Sequence, residues 1–228
     1  MAEQFLHGVE VAQIDDGLRP IRTVASSIVG LVGTAAQADA EVYPLDTPVL
    51  VTGPRMAAGL GAEGTLADAY DALYAQGVAV AIVVRVSEGA DAAATLANAV
   101  GVPANQSGAY ALLGAAAVTG QTPRILAAPG LTTPTDPGAI NPLADVLLTI
   151  ATQLRAVVIA DGPNTTEADA ITYAGQFGSD RAFLVDPAVR VFDVATGETV
   201  TRPPRAMSQA SSAAPTTNAA SGGRRPTG

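Results

Sequence analysis

Cysteine is missing from all 228 residues, and so is lysine. Without cysteine there is no disulfide framework, and no thiolate to serve as nucleophile or metal ligand. Without lysine there is no Schiff base and no P-loop lysine. All 12 basic residues are arginine, a bias that fits GC-rich coding DNA. Histidine occurs once, at His7, which excludes a His/Cys zinc site by count and confines any Ser-His-Asp triad to one N-terminal residue. No G-x-S-x-G elbow is present either. Apolar residues come in short runs, well below the ~18 consecutive residues of a membrane helix, so no membrane insertion is expected. Met1 to Gln4 lacks the positive start of a signal peptide, and synthesis in the cytoplasm is expected. Positive charge is scarce overall. The net charge of −9 argues against nucleic acid as a partner, because phosphate neutralisation needs basic patches.

What is present divides into three parts: an extended arm over 1–20, an α/β domain over 21–204 and a low-complexity tail over 205–228. Residues 5–14 read as a β-prone segment cut off by Gly17 and Pro20. An unpaired strand of that kind invites pairing with the sheet of another molecule. Phe5, Leu6, Val9, Val11 and Ile14 are therefore the candidate subunit-interface residues, and a homo-oligomer is the expected assembly. His7 falls on the same arm. The tail contains no Val, Ile, Leu, Phe or Tyr, cannot offset its ordering entropy by burial, and is expected to be disordered.

Between arm and tail, strands and helices alternate. Strands are expected at Ile28–Val32, Pro48–Thr52, Val78–Val86, Arg124–Ala128, Arg155–Ala160 and Ala182–Val185. A helix capped by Thr65 carries Leu66, Ala69, Tyr70 and Leu73 on one face. Further helices follow Asp91, run from Gly108 to Val118, open at Asn141-Pro142, and follow Thr165-Thr166. Thr196-Gly197 reads as the turn of an antiparallel hairpin that could form a sheet edge or an extension. The expected class is α/β, a mostly parallel sheet with flanking helices.

Few residues suggest chemistry. Gly59, Gly61 and Gly64 spell a dinucleotide fingerprint between a strand and a helix, with Glu88 placed where a ribose-binding acid could follow. A nucleotide- or dinucleotide-binding enzyme is the alternative this supports, and a small α/β binding module is a third reading. Gly53 to Ala58 intervene, however, where the fingerprint needs its first glycine directly after the strand, so a plain glycine loop is favoured and no cofactor is expected. Asp15-Asp16, Asp161 and Asp186 are better explained as turn residues than as a cation or catalytic site. Tyr43, Tyr70, Tyr110 and Tyr173 are expected in the core or at interfaces.

The wording of several blocks is also familiar. Gly8-Val9-Glu10-Val11, Arg19 to Val24, Ile28 to Ala35, Pro44 to Val51, Gly64 to Ala69, Val83 to Val86, Pro123 to Gly130 and Val191-Phe192-Asp193 occur in that order. Together they resemble tail sheath proteins of contractile bacteriophages and the sheaths of R-type pyocins, over residues 3–204. The resemblance implies a virion structural protein and no enzyme. It implies a subunit made in the bacterial host cytoplasm and located in the virion tail, stacking in rings around an inner tail tube protein and contracting to drive that tube through the host envelope. It also implies that the arm adds a strand to a neighbour's sheet. Beyond Pro204 the family pattern stops, and the composition is what an alternative reading frame of GC-rich DNA encodes. The expectation is that the family's C-terminal domain is missing, leaving apolar surface exposed and a chain that does not form tubes alone.

Overall fold

A computed structural model of the chain describes residues 28–78, 80–187, 189–193 and 198–202, the last two stretches as backbone. The expected arm and the expected tail lie outside the described residues.

The centre of the fold is β1 (Val29–Thr34), whose six residues are all buried. It pairs in parallel with β3 (Ala81–Val86) on one side and β4 (Ile125–Ala127) on the other. Beyond β3 lies β2 (Pro48–Val51), and beyond β4 lie β5 (Val157–Asp161) and β6 (Ala182–Val185). The sheet order is β2-β3-β1-β4-β5-β6, and only β2 runs antiparallel. The reversal has a local cause: residues 35–47 form turns and no helix, so nothing carries the chain back across the sheet to start a parallel strand. The hairpin β7 (Val189–Asp193) and β8 (Glu198–Arg202) forms its own two-stranded sheet and does not extend the large one.

Helices cover both faces. α1 (Pro54–Ala57), a 3-10 turn at Ala58–Leu60 and α2 (Thr65–Ala75) lie on one side. There Leu66, Ala69, Tyr70 and Leu73, spaced as one helical face, pack with Val29, Leu31 and Val83. Gly33 makes this approach possible, because a Cβ on it would stand 2.3 Å from the Thr65 hydroxyl. α3 (Ala92–Val100), the 3-10 segment Gly108–Gly114 and α5 (Pro142–Leu154) supply the opposite layer. Ala99, Leu112, Leu143, Leu147 and Ile150 meet Val32, Ile82, Val84, Leu126 and Val158 there. Alternate residues of each strand thus serve alternate layers, which is why the strands read as continuous apolar runs.

Three boundaries differ from the sequence expectation. The segment expected as one helix from Gly108 is 3-10 to Gly114 and becomes α-helical only in α4 (Ala115–Thr119), in a stretch rich in small residues. The strand expected from Val78 begins at Ala81, because Val78 closes the end of α2 through its amide to Leu73 O. Arg155 is a left-handed helix cap and not a strand residue. α6 (Glu167–Ala174) is capped by Thr166, as its sequence indicates. Tyr43, Tyr70 and Tyr173 are fully buried, and Tyr110 is half-buried.

Candidate functional site

Phe5, Leu6, Val9, Val11 and Ile14 lie outside the described residues, as do His7, Asp15 and Asp16. The remaining sequence candidates can be placed.

The glycine loop does not cradle a ligand. Its preceding strand, β2, is the antiparallel edge, whereas the fingerprint requires a central parallel strand. The space beside each glycine is taken by the chain itself. A Cβ on Gly59 would meet the Tyr43 ring at 3.0 Å, on Gly61 the Gln37 side chain at 2.7 Å, and on Gly64 the Thr34 carbonyl oxygen at 2.3 Å. These glycines bring α2 against the end of β1. Thr65 is likewise not a cap: Gly64 occupies that position, and the Thr65 hydroxyl turns towards β1 instead.

The concavity that does exist was not singled out by sequence. It encloses about 930 Å³ at the carboxyl ends of the parallel strands. Thr34 and Thr65 form one wall, Glu88 to Leu96 another, and the loop from Gly130 to Pro142 the third. Here β1 and β4 lie side by side while α2 and α5 pack on opposite faces, the switch point at which open α/β sheets form crevices. Its polar groups are engaged with one another. Asp91 caps α3, accepting from the Ala94 amide at 2.6 Å, and Asp136 accepts from the Gly138 amide at 2.8 Å. Asn141 caps α5 by accepting from the amides of Leu143 and Ala144. Its Nδ2 donates to the carbonyls of Leu131 and Thr133 at 3.2 and 3.1 Å. The buried Asp161 closes the same loop: its amide donates to the Thr132 hydroxyl, and the Thr133 hydroxyl donates to its carboxylate at 3.5 Å. Asp186 accepts from the Asn164 amide at 2.6 Å, a turn role. Such a site holds loops in place; it offers no nucleophile–base pair. Among the described residues no group of three or more His, Cys, Asp or Glu is placed to hold a metal ion, and no helix is long and apolar enough to cross a membrane.

Titration shifts follow the packing. Burial raises the Tyr43 phenol, with Tyr70 nearby adding to the effect, and burial likewise raises Tyr70. Tyr43 donates to the Met56 carbonyl at 2.7 Å, so it is satisfied as a neutral phenol. Asp169 is lowered by hydroxyl hydrogen bonds from Thr165 and Thr166 in the first turn of α6.

The outer edge of β6 is the other feature open to a partner. β6 pairs only with β5, and Phe183 on it is 55% exposed.

No protein-family model matches the chain. Individual proteins do. A Pseudomonas aeruginosa prophage protein described as a major tail sheath protein is 38% identical over 199 residues, 84% of this chain and 49% of that protein. The tail sheath protein of Escherichia phage P2 is 35% identical over 209 residues, 86% of this chain and 51% of its own length. The major tail sheath protein of Serratia phage KSP20 is 36% identical over 87% of this chain and 51% of that protein. The chain spans about half the length of the curated relatives it matches. Within that span, it belongs to the tail sheath proteins of phages and prophages.

Proposed function

We propose that the chain is a structural subunit of a contractile tail sheath, joining other sheath subunits around an inner tail tube protein. The single observation that carries this reading is the match to three proteins named as tail sheath proteins, each over more than four-fifths of this chain. The protein's place would be the virion tail, after assembly in the host cytoplasm. Contraction needs no nucleotide in this scheme, because the energy is stored in the contacts between subunits.

Linkage is assigned to the arm. Phe5, Leu6, Val9, Val11 and Ile14 form an apolar, β-prone segment that adds a strand to a neighbour's sheet, main-chain hydrogen bonds supplying affinity and alternate side chains supplying register. The arm stands outside the compact domain, so its disruption separates assembly from folding. Val9→Asp and Val11→Asp each put a charge into the added strand. Pull-down of tagged chain with the full-length P2 tail sheath protein should fall at least about tenfold in either variant, equivalent to about 1.4 kcal/mol. The melting temperature of the isolated chain should stay within about 2 °C of the parent. Equal recovery of variant and parent, or a large loss of melting temperature, removes the arm from this role.

A further inference from the structure

The six-stranded sheet ends differently at its two sides. At the β2 side the sheet closes with a short antiparallel strand that opens on Pro48, which has no amide to offer a further strand. At the β6 side it simply stops. The Val158 amide donates to Arg181 O and the Gly162 amide donates to Val185 O, which turns the odd-numbered residues of β6 inward. Ala182 and Leu184 then aim their main-chain groups outward, where none of the described strands pairs with them. Side chains repeat the pattern. Phe183 is in register with Ile159, so it stands on the α2 side of the sheet, but the helices of that layer pack over β1 and β3. It is left 55% exposed, and Ile171 on the adjoining α6 is 66% exposed. Parallel sheets are ordinarily covered on both faces, so a bare aromatic at a parallel edge is out of place in a finished domain.

We infer that the β6 edge is a docking face for one occupant: an extended segment from the half of the sheath polypeptide that the matched span leaves out. The occupant continues the sheet past β6 and covers Phe183. Two observations on this chain select it. The chain accounts for only 49–51% of each relative, so a comparable length of sheath polypeptide remains to be housed. The hairpin that follows β6 folds on itself and leaves the edge unfilled. The inference rests on the sheath reading, but it concerns packing within a subunit and not the linkage between subunits.

Two measurements test it. In the first, hydrogen exchange is followed on this chain and on the intact P2 tail sheath protein, both below the concentration of assembly. The β6 segment, Ala182–Val185, should exchange at least about a hundredfold faster here than its aligned counterpart in P2. In the second, residues 1–202 are joined to the part of the P2 protein that follows the match. Phe183→Cys provides a clean thiol probe, since the chain has no other cysteine. Maleimide labelling should slow at least about tenfold in the fusion relative to the chain alone. Val118→Cys, at a site 61% exposed on α4, should label equally in both. Equal exchange at the β6 position in both proteins overturns the inference, and so does undiminished labelling of Phe183→Cys in a fusion that melts cooperatively. Either result, obtained alongside normal co-assembly of the chain with P2 sheath, overturns the docking face and leaves the sheath reading standing.

Discussion

Thr34 and Thr65 hydrogen-bond each other twice: the Thr34 amide donates to Oγ1 of Thr65 at 3.1 Å, and the Thr65 amide donates to Oγ1 of Thr34 at 3.3 Å. The last residue of β1 is thereby fastened to the first residue of α2, 31 positions on. Each hydroxyl satisfies an amide that would otherwise have no helix or sheet partner, the first of α2 and the last of β1.

Thr65→Val and Thr34→Val, which keep the side-chain shape, should each cost about 1–2 kcal/mol by stranding one amide. The double variant should cost clearly less than the sum, since the two bonds form one unit. Urea unfolding of the four proteins checks this; strict additivity would mean that the two residues act independently.

Asn141 is the most connected side chain of the crevice. Asn141→Ala removes the cap of α5 and both bonds to the carbonyls of Leu131 and Thr133, and should lower stability by about 2 kcal/mol or more. Asn141→Asp keeps the acceptor for the α5 amides and loses only the donors, so it should fall between parent and alanine variant in a thermal melt.

Gly64→Ala separates a packing glycine from a ligand-binding one. Gly64 has φ of 106°, and an added Cβ would meet backbone of Thr34 and Ala35. The substitution should cost about 2–4 kcal/mol. Gly53→Ala, where φ is 174° and nothing lies within 4 Å, should be nearly neutral. Nucleotides or dinucleotides added to the parent protein should leave its melting temperature unchanged, whereas a rise at near-physiological ligand would revive a cofactor role for the loop.

Much of this arrangement is visible in the sequence because caps and breakers act locally. Asp91, Asn141 and Thr166 each cap the helix expected from them, and Ala182–Val185 is a strand with the expected bounds. Thr65 was legible as a helix start but not in its role, because its partner lies 31 residues away and only the β1–α2 packing brings the two together. The direction of β2 is likewise a tertiary property, although the lack of a helix in 35–47 was its signal. The crevice was illegible for a related reason: its walls come from four separate loops and helix starts, and none carries a motif of its own. Phe183 reads as one more apolar strand residue, and only the end of the sheet beside it makes it exposed.

Buried phenols set the alkaline limit. Tyr43 and Tyr70 have values raised by burial, so the folded state favours the protonated form. Their contribution is complete below the ordinary tyrosine range and is lost as pH rises through the raised values. Phenolate absorbance should therefore show late-titrating tyrosines whose ionisation coincides with alkaline unfolding. Tyr43→Phe, which gives up the bond to Met56 O, should remove one of them.

The central claim, that this chain is a sheath subunit, is tested most directly by electron microscopy of sheaths assembled from the P2 tail sheath protein with gold-labelled copies of this chain present. The account predicts label on the sheath walls, its density dropping with Val9→Asp or Val11→Asp, and no tubes from this chain alone. Sheaths that form normally and carry no label from the parent chain, at ratios where it is in excess, would contradict it.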